Sequence, residues 1–295
     1  MSKFTTELFL EPKTTQFGSH MVMSNVIKQP KTKYINIDTR FRDEYNYLST
    51  ANYNITLPER ITDVSTLTLT SIEIPMSFYN ISANLGNNFF TVTRNGTTTT
   101  ITVPDGNYTA STIKTTLNNA LWGYDLSYNY SGLNSTLNTG TATVTVNFAV
   151  GSSGNNDKHN IKSKLGWLLG FRNPSYTVKT ATTTSEAFYD FNGPRYLYLA
   201  IDEFNKGNQH SFVSPLYNSL INKNIIARIT LDPATHGFGT VLPANLKNGL
   251  LVSDLRSYTG KIDLLKMNVQ LLDENGNNMA LNGLDFSFCL CVEHE

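Results

Sequence analysis

Leu284, Phe286, Phe288, Leu290 and Val292 occupy every second position of one stretch near the C-terminus. In an extended strand that spacing puts all five side chains on one face. The pattern asks for a sheet with one face in a hydrophobic core. The same alternation recurs in Tyr34-Ile35-Asn36-Ile37-Asp38 and in Tyr53-Asn54-Ile55-Thr56-Leu57, where Pro58 is expected to stop the run. Between residues 64 and 74 the phase changes: Leu67 and Leu69 share one face, Ile72 and Ile74 the other. A shift at Thr70-Ser71 predicts a β-bulge or a strand that changes sheets.

Turn chemistry separates these runs. Residues 89–93 and 99–103 flank Arg94-Asn95-Gly96-Thr97, and Asn-Gly is a strong hairpin signal. After the turn Pro104-Asp105-Gly106-Asn107, Thr109 or Ser111 can cap a helix with Ile113, Leu117 and Leu121 on one stripe. A second short helix is expected to carry Ile161, Leu165 and Leu168 and to end at Gly170. Residues 126–130 and 141–148 read as strands; 131–140 and 151–156 read as loops. Further strands are expected over 195–201, 224–231, 262–272 and 284–292, the last two flanking a turn at 273–278. Leu284, Phe286, Phe288 and Leu290 are expected to point into the core.

About ten short strands with two small helices indicate an all-β fold. The expected architecture is a jelly-roll β-sandwich of two antiparallel sheets with one or two short helices. Residues 1–32 form an irregular N-terminal arm, and 33–295 a jelly-roll domain with an elaborated insertion around 104–194. The arm has no sustained period, yet it carries Phe4, Leu8, Phe9, Leu10, Phe17, Met21, Met23 and Val26. A frayed terminus and an arm that orders against a neighbour both fit that composition.

Composition excludes several functions. Acidic and basic residues number 23 each, so no broad electrostatic footprint for nucleic acid or anionic membrane is expected. Only 16% of residues are charged, against about 25% in an average chain. No secretory signal pattern and no bilayer-spanning apolar run is read from the sequence. Cys289 and Cys291 alternate along one strand, too close for a loop-closing disulfide, and read as half-buried thiols.

No catalytic, cofactor-binding or metal site is expected. The histidines, His20, His159, His210, His236 and His294, are scattered, whereas a metal-binding jelly roll needs two on one strand beside a carboxylate. Asp38, Asp43 and Glu44 cluster with Arg40 and Arg42 and read as a solvated or intersubunit ion-pair edge, as does Asp202-Glu203. Gly151-Ser-Ser-Gly154 lacks the Gly-Lys-Ser/Thr ending of a phosphate loop, and no serine lies in a G-x-S-x-G turn. The 15 Tyr and 16 Phe have no basic stripe beside them and read as core and interface.

Several stretches, taken in order, resemble the small jelly-roll capsid proteins of nucleocytoplasmic large DNA viruses. They are Tyr34-Ile-Asn-Ile-Asp-Thr-Arg-Phe-Arg42 after a polar arm, Leu57-Pro58 followed by V-S-T-L-T-L-T-S-I-E-I-P, and Val103-Pro-Asp-Gly-Asn-Tyr-Thr109 leading into the Leu117 helix. Lys164-Leu-Gly-Trp-Leu-Leu-Gly-Phe171, Leu271-Leu-Asp-Glu-Asn-Gly276 and Leu281-Asn-Gly-Leu-Asp-Phe-Ser-Phe288 complete the set. The resemblance implies a structural component of an icosahedral capsid, located in the virion and not an enzyme. Two fused rolls of about 150–200 residues each would leave no room for an arm and loops, so a single roll is expected. The first assignment is the vertex (penton) protein, a homopentamer whose partners are the major capsid protein and minor capsid proteins. A minor capsid protein cementing major capsid protein capsomers is the second. A carbohydrate- or receptor-binding jelly-roll module is the reading of another class.

Overall fold

The computed structural model describes residues 29–42, 45–46, 50–180, 182–204, 224–253 and 255–295. Most of the arm lies outside them. The chain is all-β and of the sandwich type, with two short α-helices among the described residues.

The main body is one eight-stranded antiparallel sheet. Its strands are β1 (Lys31–Asp38), β2 (Asn52–Pro75), β10 (Tyr196–Asp202), β11 (Ile225–Thr230), β12 (Val241–Asn245), β13 (Leu251–Ser253), β14 (Arg256–Leu272) and β15 (Ser287–His294). The order is β1-β15-β2-β14-β10-β11-β13, with β12 also on β2. The expected two layers are therefore parts of one sheet that curls over. The long strand β2 belongs to both. Its second half pairs with β15 and β12, and its first half with β14. The curl brings β13 back to β2, where Leu69 N donates to Ser253 Oγ at 3.2 Å.

Irregularities make this bend. β2 does not stop at Pro58 as expected. Between the pairs Thr56–Lys266 and Ile61–Leu264, β2 spends four residues while β14 spends one. Pro58 sits in that bulge, where its missing N–H costs no ladder bond. Asp63 then takes a left-handed φ of 54°. The phase change at Thr70 is also a bulge: Leu69 pairs with Leu290 and Ser71 with Cys289, leaving Thr70 unpaired. Its hydroxyl bonds to Cys289 O at 2.9 Å. Leu67, Leu69, Ile72 and Ile74 are consequently all fully buried.

On β15, Phe288, Leu290 and Val292 are fully buried, and Phe286 just before it is 2% exposed. Leu284 departs from the expected face. It is 51% exposed, because Asn282 and Gly283 both take positive φ and turn the chain before the strand begins.

A second hydrophobic cluster lies apart from the first; its buried members fall between residues 81 and 178, and Phe191 packs against them. It is built by a sheet β4-β3-β7-β8 and a sheet β5-β6-β9. The strands are β3 (Phe89–Arg94), β4 (Thr97–Thr102), β5 (Leu126–Ser131), β6 (Asn134–Thr139), β7 (Val144–Asn147), β8 (Ser175–Val178) and β9 (Thr183–Phe188). Asn95 and Gly96, with φ of 51° and 79°, close the β3–β4 hairpin as the Asn-Gly signal requires. Helix α1 (Ala110–Ala120) is capped by Thr109, whose side chain accepts from Thr112 N in a reciprocal capping box. Ile113, Leu117 and Leu121 are buried, as the stripe implied.

The second helix is broken in two. A 3-10 turn (Lys158–Ser163) and α2 (Leu165–Leu168) are separated by Lys164, whose backbone is extended. Two glycines permit this corner. A Cβ on Gly166 would lie 2.5 Å from the Phe148 ring, and one on Gly170, at φ 90°, would lie 2.1 Å from Ala187 O. Phe148 stacks on Phe171 with ring centroids 5.5 Å apart.

Residues 131–140, read as a loop, contain β6. Its inward residues are Ser135 and Leu137. Ser135 is fully buried because Tyr128 OH lies 2.8 Å from its hydroxyl and Ser185 Oγ accepts from its N–H at 3.0 Å.

Candidate functional site

Charged groups singled out from the sequence serve the frame. Asp38 binds Arg40 through Nε and Nη2, and the neighbouring guanidinium holds its carboxyl below the usual range. Arg42 is not on a solvated edge. Its side chain is fully buried, donating to Asp285 Oδ1 at 2.7 Å and to the carbonyls of Thr39 and Asn46, with the Tyr45 ring 4.2 Å away. Thr39 closes the clasp, donating to Asp285 Oδ1 at 2.8 Å and accepting from Phe286 N at 3.0 Å. It ties the exit of β1 to the approach of β15. Asp43 and Glu44 lie outside the described residues.

Glu203 also departs from the expected solvated edge. It is 7% exposed, and its Oε1 accepts from the fully buried guanidinium of Arg256 at 2.5 Å and from Tyr258 OH. Arg256 donates further to Ile201 O at 2.9 Å and Asn224 O at 3.0 Å. Those carbonyls stand on either side of residues 203–223, so one guanidinium pins the chain where it leaves β10 and where it re-enters β11. Burial and the Glu203 charge push the Tyr258 hydroxyl pKa up. The geometry of this cluster is that of a brace. The sequence signal was an Arg at the head of a long strand, which periodicity alone does not mark as buried.

His236 and His294 are far apart in the fold, and His20, the His159 side chain and His210 lie outside the described residues. Among the described residues no group of three or more His, Cys, Asp or Glu is placed to hold a metal ion, and no helix is long and apolar enough to cross a membrane. Cys289 and Cys291 are free and half-buried on β15. Burial pushes the Cys291 thiol up, away from the reactive thiolate.

What the body offers instead is edges. In the layer β1-β15-β2-β12, the outer strands are β1 and β12. Among the described residues β1 pairs only with β15 and β12 only with β2. Large apolar side chains stand exposed at both: Tyr34 at 67% and Phe41 at 81% beside β1, Val241, Leu246 and Val252 at 51–55% on the β12–β13 side. The β1 side is also concave. A groove of about 480 Å³ runs between β1 and the first half of β2, from Lys33 to Arg42 on one wall and from Ile55 to Ile61 on the other. Its floor is apolar, with Ile35 and Ile55 half-buried and Ile37, Leu57 and Ile61 buried. Lys33 and Glu59 form an ion pair across one end.

No family model matches the chain, and no curated protein matches it. Among solved structures it is similar to a penton protein of mavirus, with 10% identity over 90% of this chain and 99% of that chain and a TM-score of 0.40.

Proposed function

We propose that this chain is a structural protein of an icosahedral viral capsid, a penton that assembles as a homopentamer at the vertex and contacts major and minor capsid proteins around it. The carrying observation is the pair of unlike apolar edges. A closed ring needs a heterologous interface, in which one flank of each copy meets a different flank of the next. The β1 edge with Tyr34 and Phe41, and the β12–β13 edge with Val241, Leu246 and Val252, are such a pair. The ordered run of motifs from Tyr34 to Phe288 supports the same reading, as does the use of the buried charges as braces. In this role the chain performs no catalysis and resides in the virion.

The test is mass. Light scattering on the purified full chain should give five times the 32.9 kDa of one copy, and the protein should be found in purified particles by mass spectrometry. A stable monomer absent from particles would sink the proposal. A monomer in solution that is present in particles at facet stoichiometry would favour the cementing role instead.

One observation favours a receptor-binding reading. Trp122, at the turn after α1, is 87% exposed beside a shallow depression lined by Asn118, Ser127 and Asn138. An open indole face suits stacking on a sugar ring. A glycan array that reports binding lost in Trp122→Ala would establish it; a blank array would dismiss it.

A further inference from the structure

We infer that the groove between β1 and β2 is the seat of the N-terminal arm of a neighbouring copy, which adds to β1 as an extra strand. This rests on the assembly reading above and specifies how one copy grips the next.

The groove has the construction of a strand site. Its walls are consecutive residues, Lys33 to Asp38 on β1 and Ile55 to Glu59 on β2, so main chain and side chains are offered together. β1 is the terminal strand of the sheet and has one edge without a described ladder partner. An unpaired edge presents a row of N–H and C=O groups to any extended segment, and strand addition satisfies them while pockets read alternate side chains. Ile35 and Ile55, each half-buried, leave apolar surface that an added strand would cover.

The occupant is argued from the chain outside the described residues. Twenty-eight residues precede Gln29, and they join the body next to β1, at the groove itself. Within them Phe4, Leu8, Phe9 and Leu10 supply apolar bulk that an apolar floor can cover. Twenty residues then separate Leu10 from Lys31. Fully extended they reach about 65 Å, whereas a chain of this length has a radius of gyration of about 19 Å. That apolar segment can therefore reach the next copy. A tight return onto its own β1 is disfavoured at Gln29-Pro30. A type I′ turn there needs φ above zero at both central residues, and Pro is fixed near −65°.

The test uses the full chain with Cys289 and Cys291 changed to Ser. Tyr34→Cys is combined in turn with Phe4→Cys, Leu8→Cys and Leu10→Cys, and the proteins are oxidised and run on a denaturing gel without reductant. The expected result is a ladder of interchain disulfides up to the pentamer for at least one pair. It should be absent from each single-cysteine control and should fall at least tenfold with excess peptide of residues 2–28. The competing peptide leaves the protein unaltered, so loss of the ladder is not a folding defect. An intrachain disulfide that leaves monomers, or no disulfide in any pair, overturns arm exchange. Light scattering on the same samples keeps the two readings apart. A pentamer mass without the arm disulfide retains the ring and removes the exchange. A ladder that stops at another number retains the exchange and removes the pentamer.

Discussion

Phe288 and Leu290 of the sandwich and Ser135 and Leu137 of the second lobe hold equivalent places. Each pair faces inward from a strand flanked on both sides. The sandwich fills the space with hydrocarbon. The second lobe fills part of it with the Ser135 hydroxyl, hydrogen-bonded to Tyr128 OH, and with the Ser185 hydroxyl, which accepts from Ser135 N. The contrast extends to charge. The sandwich buries two guanidinium groups, Arg42 and Arg256, each on a carboxylate. The second lobe buries one ammonium, Lys164, on Asp157 at 2.8 Å, and adds short polar side chains against backbone: Asn118 on both the N–H and C=O of Tyr128, Asp125 on the N–H groups of Gly140, Thr141 and Ala142. One region is held by long strands from distant parts of the chain, the other by local polar stitching around an aromatic cluster.

Substitution can test whether the two cores are independent. Phe288→Ala and Phe148→Ala should each cost about 3–5 kcal/mol, the range for a buried aromatic reduced to methyl. Hydrogen exchange should place the loss in different regions: β1, β2 and β15 for Phe288, β3, β7 and α2 for Phe148. Uniform loss across both would mean one cooperative unit. Arg256→Ala should cost a comparable 3–5 kcal/mol in denaturant unfolding, because it strands the Glu203 carboxylate without its partner, whereas the double change Arg256→Met with Glu203→Leu should restore much of it. No recovery would mean the brace acts mainly through its bonds to Ile201 and Asn224.

Acid should separate the regions more gently. Bonds from Thr141 N and Ala142 N hold the Asp125 carboxyl below its ordinary value. A depressed acid contributes stability that is present above its unfolded pKa of about 3.9 and is lost as pH falls through the folded value. Amide exchange at Thr141 and Ala142 should therefore quicken below about pH 4, and Asp125→Asn should abolish that pH response. The smallest effect is expected at Leu284. Leu284→Ala should change stability by no more than about 0.5 kcal/mol, as at other exposed sites, although it shares its sequence period with Phe286.

The legibility of the fold followed the same contrast. Strands whose inward residues are aliphatic or aromatic, such as β1, β11 and β15, could be read from alternation, as could the bulge at Thr70 and the Asn-Gly hairpin. β6, β8 and β9 are Thr- and Ser-rich, and β6 and β9 turn serines inward, Ser135 and Ser185, held by hydrogen bonds, so hydrophobic alternation did not mark them. β12 and β13 are too short to show a period. Pro58 was misread because a bulge, visible only with β14 in place, removes the need for its N–H. The groove was not legible either, since its walls are far apart in register and meet only when β2 bends. Of the charged groups, Arg42 and Glu203 looked like surface residues because their neighbours in sequence are polar.

Asn80 shows what the junction between the two regions permits. Its side-chain amide donates to Tyr108 O at 2.9 Å and Phe191 O at 2.6 Å while its oxygen accepts from Tyr108 N at 2.9 Å. The points where the chain enters and leaves the second lobe are thus held side by side by one residue. An ancestor could have gained or shed some hundred residues there without re-routing a strand of the sandwich. The second lobe of such a protein could therefore diverge between lineages while the sandwich stayed the same.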